Sequence, residues 1–272
     1  MVKIDRQTRL NAFNLLNELK EKGFSQEKTI NKIQEKFNLP YQTIYGWYKK
    51  NSSPYGNRKL KYKKELFYLL GALLGDGCPY YWKKKDSYMV IVLGEKEFNE
   101  KFSEKLFICT TKKVSWCNII NKNVWKLQTS NLELYNLFKE IREDYIKLIS
   151  LINKGDAKSN SIQFIEGFFD AEGCVKIIKE PNRKTPKICL DICNVDYEIL
   201  EIIKQLLYNY LSIEANFSIQ KADNKKNKQA AFHLRIYKKE FIRIFFNNIN
   251  TIKLKKEKID HVYKWLNNGK GS

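Results

Sequence analysis

The chain is poor in the residues that build soft-metal sites. It has two histidines, His233 and His261. Its cysteines, Cys78, Cys109, Cys117, Cys174, Cys189 and Cys193, include no CxxC pair, so no closely spaced zinc ligand set is formed. Buried, reduced thiols are the expectation. Long apolar runs are also missing. The longest, around Leu66–Leu74, is roughly half the length of a membrane span. The opening stretch MVKIDRQTRL is too polar for a signal peptide. Acid is the remaining deficit: 30 Asp+Glu face 50 Lys+Arg, a formal charge of +20. A prokaryotic-type cytoplasmic protein with no membrane partner is expected.

A surplus of that size repels itself, and its natural partner is a polyanion, most often nucleic acid. With 43% hydrophobic and 14% aromatic residues the chain has the material for a core. Its 272 residues suggest two domains, or three small ones.

Residues 1–50 read as helical. Leu10, Phe13, Leu16 and Leu19 share one face, Gly23 closes that helix, and Ser25 stands where a cap for the next is needed. Ile30, Ile33 and Phe37 form a second apolar face. Pro40 suits the first position of a third helix, over residues 41–50, that buries Ile44 and Trp47. Two short helices joined by a tight turn fit a helix-turn-helix, with Tyr41, Gln42, Thr43 and Tyr45 near its groove-facing start. Residues 51–64 read as a basic linker.

The remainder is written twice. FYLLGALLGDGC at 67–78 and QFIEGFFDAEGC at 163–174 are both apolar runs ending in a small residue, an acid, Gly and Cys. Strands are expected near 78–83, 88–93, 113–120 and 123–130, and again near 174–179, 187–194, 213–221 and 231–238. Helices are expected near 97–108 and 196–210. The units span 65–160 and 161–268. Alternation gives each sheet one buried face and one polar face. The polar faces carry Lys126, Gln128 and Ser130 in the first unit. In the second they carry Lys187, Asp191, Asn216, Ser218, Gln220, His233, Arg235 and Tyr237. Arg and Lys suit guanine edges and phosphates, Gln and Asn suit adenine, and a β-ribbon fits the major groove.

Gly71 and Gly75, like Gly167 and Ala171, are four apart, a spacing that lets two helices approach closely. Asp76 and Glu172 would then sit together at adjacent helix C-termini. There they repel each other and face the negative ends of both dipoles. A hard divalent cation offsets that cost, Mg²⁺ above all.

These two stretches, LLGALLGDG and IEGFFDAEG, resemble the signature helices of the LAGLIDADG homing endonucleases in their single-chain, two-copy form. The resemblance covers about residues 65–268. It implies an α+β fold: two pseudo-symmetric αββαββα units with saddle-forming antiparallel sheets, here preceded by a small all-α helix-turn-helix domain. It also implies Mg²⁺-dependent double-strand cleavage of double-stranded DNA at a long site, leaving 3′ overhangs, with Mn²⁺ or Ca²⁺ able to occupy the same place. Asp76 and Glu172 match the metal-binding acids, and Gly75 and Ala171 match the carbonyl ligands. Asn194 and Lys238 match the polar and basic residues of the second copy, with Lys239 as the alternative. The first copy offers Glu95 or Lys96 after its second strand and no Lys after its fourth.

An N-terminal helix-turn-helix of this kind resembles that of freestanding archaeal members. The opening MVK and closing NNGKGS carry no splicing-type ends. A monomer needing no protein partner is expected. Two other functions remain open on the sequence: a catalytically idle sequence-specific DNA-binding regulator, and an intron RNA maturase.

Overall fold

The computed structural model describes residues 5–50, 54, 60–85, 87–119, 123–179, 186–222 and 229–267. Most of the expected basic linker and the centre of the loop at 221–229 lie outside the described residues.

Three helices open the chain: α1 (Arg6–Glu21), α2 (Gln26–Phe37) and α3 (Tyr41–Lys50). Asp5 caps α1, its carboxylate accepting from the Thr8 N–H at 2.9 Å. Gly23, at φ +75°, turns the chain out of α1, and Asn38 ends α2 in the left-handed region. Pro40 stands one place before α3, not at its first position, and its carbonyl accepts from Thr43 and Ile44. Leu16, Ile30, Ile33, Ile44 and Trp47 form a core of their own, separate from the main one.

The main core is built by two units in the same order. The first runs α4 (Lys64–Asp76), β1 (Gly77–Trp82), β2 (Ser87–Gly94), α5 (Lys96–Thr110), β3 (Trp116–Asn118), β4 (Trp125–Ser130) and α6 (Leu132–Glu143). After the connecting helix α7 (Tyr145–Ile152), the second runs α8 (Ala157–Glu172), β5 (Gly173–Ile178), β6 (Lys187–Asn194), α9 (Tyr197–Leu211), β7 (Asn216–Gln220), β8 (Ala231–Ile236) and α10 (Lys239–Asn248). A last helix, α11 (Lys256–Asn267), follows. The antiparallel sheets repeat the order β1-β2-β4-β3 as β5-β6-β8-β7. Even the register repeats: Gly77 pairs with Val92, and Gly173 with Ile192. The fold is therefore mixed α+β with a doubled αββαββα unit.

The third strand is shorter than its sequence suggests, three residues against an expected eight. The carbonyl of Val114 accepts from the Ser103 hydroxyl at 3.1 Å, so that stretch is tied to α5.

Helices α4 and α8 form the centre. A Cβ on Gly71 would overlap the backbone of Phe164 and Phe168, and one on Gly167 would overlap the carbonyl of Tyr68. The small residues are thus the contact itself, and the backbones meet with no side chain between them. Leu66, Leu69, Leu70, Leu73, Phe164, Ile165, Phe168 and Phe169 pack around that contact, all fully buried. Val90, Val92, Leu127, Val175, Leu190 and Leu234 cover it from the sheets. The other face of each sheet points away from the helices, as alternation requires.

Candidate active site

Both signature helices end on their acid. α4 stops at Asp76 and α8 at Glu172, and the next glycine begins a strand in each case. Gly77 and Gly173 have ordinary extended backbone, so they are not there to reach a left-handed turn. A Cβ at Gly77 would overlap Leu73 in the last turn of α4, and one at Gly173 would overlap Phe169 in α8. Glycine lets the strand leave at once, and so fixes where the acid points.

The two carboxylates share one environment. Burial, with the charge of Asp76 as the second cause, pushes Glu172 up to about 7, and Lys253 works in the opposite direction. Burial likewise raises Asp76, again opposed by Lys253. At Gly75, an added Cβ would lie 3.0 Å from the Glu172 Cγ, so the backbone of one signature helix touches the acid of the other. Gly75, Glu172 and Asn194 line a recess of about 470 Å³ together with Arg142 and Tyr145.

The two acids have different company. Asn194, at the end of β6, donates from Nδ2 to the Glu172 Oε1 at 3.2 Å. In the matching register of the first unit stands Gly94, which brings no side chain toward Asp76. Its size is set by packing, since a Cβ there would overlap the ring of Phe98. Glu95 and Lys96 follow at the start of α5. Glu95 pairs with Lys255 at 2.8 Å, and Lys96 with Glu100 at 3.7 Å.

Lys238 lies away from this site. Its Nζ pairs with Glu214 at 2.9 Å on the exposed surface and stands over the Phe241 ring. Lys239 stands over the ring of Trp265. Position 238 caps α10 and leads outward, and the chain returns to the acids only after that helix. The ammonium beside the acids is that of Lys253, whose Nζ donates to the Ala171 carbonyl at 3.1 Å. Sequence spacing gave no sign of it, because its place depends on a long-range clasp. Asp170 accepts from the Thr251 hydroxyl at 2.6 Å and the Ile252 N–H at 3.0 Å. Glu166 accepts from the Asn250 N–H. Lys101, from α5, pairs with Glu166 at 2.9 Å and Asp170 at 2.7 Å, and the Tyr68 hydroxyl donates to Asp170 at 3.0 Å. Two acids inside an apolar helix were the available signal.

The strand residues divide by surroundings. On the second sheet a buried carboxylate, Asp191, gathers Lys176, His233 and Arg235, with Arg235 and His233 each at 3.1 Å. Burial alone would raise Asp191, but Lys176, His233 and Arg235 together hold it below the usual carboxylate range. His233 is itself buried, its second nitrogen 3.2 Å from the Gln220 Oε1. Asn216 and Gln220 are exposed, Ser218 is half-buried, and Lys187 lies over the ring of Tyr237. On the first sheet Gln128 is exposed, Lys126 is half-buried, and Ser130 shares a hydrogen bond with Ser87. In α3, Tyr41 and Gln42 are exposed, Thr43 is half-buried, and Tyr45 stacks on Tyr41 with ring centres 5.8 Å apart. Among the described residues no group of three or more His, Cys, Asp or Glu could hold a metal, and no helix is long and apolar enough to cross a membrane.

Residues 159–250 match the family model of the LAGLIDADG-like domain. An uncharacterized protein of Methanocaldococcus jannaschii is 28% identical, over 92% of this chain and 92% of its own. A crystal structure of I-DmoI in complex with DNA and Mn is similar at 22% identity and a TM-score of 0.49, covering 70% of this chain and 99% of that one. The N-terminal LAGLIDADG domain of DUF199/WhiA is similar at 14% identity and a TM-score of 0.46, covering 72% and 86%. The LAGLIDADG-like match falls on the second unit, whose order of elements the first unit repeats.

Proposed function

We propose that the protein is a site-specific DNA endonuclease that cuts both strands of a long duplex site and leaves 3′ overhangs, assisted by Mg²⁺. The observation that carries this reading is the pairing of Asp76 and Glu172 at two touching helix ends, where each is raised by burial and Glu172 also by its neighbour. Two repelling carboxylates and nearby backbone carbonyls are oxygen donors suited to a hard divalent ion. Lys253 already supports such a fit: a cation rests on the Ala171 carbonyl and lowers both acids. Asp76, Glu172 and the carbonyls of Gly75 and Ala171 would hold the ion. When bound, it supplies polarisation of a phosphate and activation of water.

The chain's own groups do the rest. Asn194 fixes the orientation of the Glu172 carboxylate. Lys253 adds positive charge where negative charge builds on a phosphate during cleavage. The basic side chains of the second sheet bind backbone phosphates and base edges, with Asp191 holding Lys176 and Arg235 in place. In this reading α2 and α3 are a helix-turn-helix that extends the contact, residues 51–64 link it, and the protein acts as a monomer.

The test is incubation with Mg²⁺ and a randomised duplex library, followed by sequencing of cut ends. One recurring site with staggered ends supports the reading. Selective binding without cutting supports the idle regulator instead, a reading favoured by Gly94 standing in the first unit where the second has Asn194. Binding should weaken steeply with salt, because many phosphates shed counterions.

A further inference from the structure

The outward faces of the two sheets differ in chemistry. The second is charged, with Lys176 and Arg235 paired to Asp191 and Lys187 farther along the same face. On the first, the register places Tyr80 opposite Met89, Cys78 opposite Ile91, and Trp82 opposite Ser87, all on the face away from the core residues Val90 and Val92. Leu93 and Gln128 share that face. Tyr80 is 46% exposed and Leu93 43%. Lys126 stands opposite Leu93 on the same face and Met89 is buried within it, so the exposed apolar part is a short strip of Tyr80, Ile91 and Leu93 beside that lysine. On a strongly basic protein such a strip marks a contact surface.

The occupant follows from what borders the strip. Asp76 sits at its inner end, since β1 leaves directly from that acid. Lys83 and Lys84 stand exposed at its outer end. Whatever duplex lies over the acids and the charged second sheet must continue across this strip. The major groove presents one apolar group, the C5 methyl of thymine. The amide of Gln128, opposite Ile91, is exposed and suits the adenine of the same base pair.

We propose that the first unit reads A·T pairs through thymine methyl groups, with Tyr80, Ile91 and Leu93 as the apolar contacts and Gln128 as the adenine contact, so that one half of the target is thymine-rich. This rests on the reading of duplex DNA as the partner.

The experiment selects bound duplexes from a randomised library in Ca²⁺, then replaces dT by dU in one half of the selected site at a time. The expected result is a loss of about fourfold in affinity per contacted methyl in one half. In that half, Leu93→Ser and Tyr80→Ser each remove about fourfold of the dT-over-dU preference, and the double variant removes more. Both positions are exposed, so these variants fold. The proposal is overturned if dU is neutral in both halves, if both variants keep the discrimination, or if sedimentation shows the strip covered by a second copy. Failure to select any sequence removes the DNA reading itself, which is distinct from selective binding indifferent to the methyl group.

Discussion

Lys253 sets its ammonium 3.1 Å from the carbonyl oxygen of Ala171, the residue just before Glu172. The charge of this lysine lowers both acids. Lys253→Met is expected to slow cleavage about a hundredfold, the scale of losing one transition-state donor. Binding measured in Ca²⁺ should change by less than about threefold. Lys253→Arg should restore part of the rate in single-turnover assays.

Asp76→Asn and Glu172→Gln each remove one charge from the shared site while keeping shape. Either change is expected to abolish double-strand breaks, read on gels, and to leave duplex affinity in Ca²⁺ nearly unchanged. Two single variants that still make double-strand breaks would overturn the mechanism.

Glu172 has the Asn194 amide, and the matching position of the first unit is Gly94, which has no side chain to offer Asp76. The two strands should therefore be cut at unequal rates. Nicked duplex should accumulate early in a time course. Asn194→Ala should slow the faster strand by about tenfold and shrink that accumulation.

The pH response follows from Glu172. Burial first, and Asp76 second, raise it from 4.5 to about 7, so the folded protein keeps a proton that the unfolded chain has released. Stability without divalent ions is therefore lost as pH rises from about 4.5 through about 7. Thermal denaturation in EDTA should show a lower midpoint at pH 8 than at pH 5. Ca²⁺ should raise the midpoint at pH 8 far more than at pH 5. An equal response at both would contradict the shared acid site.

Gly71→Ala tests the helix contact. The added Cβ would meet the Phe164 carbonyl and stand 2.8 Å from the Phe168 nitrogen, both backbone atoms with little room to yield. The expected cost is about 2 kcal/mol, a fall of roughly 5 °C in Tm. Gly46→Ala is the control, since nothing lies within 4 Å of its added Cβ.

Periodicity made the doubled unit legible. The signature helices, the small-residue spacing and seven of the eight strands sit within a few residues of where alternation places them. Strand β3 is short because a side chain of α5 takes up a nearby carbonyl, a contact that no local pattern records. Asn194 was legible from the family resemblance, and the structure sets it at the end of β6 with its amide on Glu172. Lys253 was hidden because its position comes from acids 83 and 87 residues earlier, Asp170 and Glu166, acting on the loop before it. The apolar strip on the first sheet was also concealed. Its first strand ends in three aromatic residues in a row, Tyr80, Tyr81 and Trp82, and only the pairing shows which rings face outward.

Lys101 belongs to the first unit, yet the acids it satisfies, Glu166 and Asp170, are inside the signature helix of the second. The halves are consequently not interchangeable parts. A chimera that grafts a foreign second half without those acids would strand a half-buried ammonium and free the loop that delivers Lys253. Retargeting by shuffling halves would have to carry this lysine and its acids across as a set.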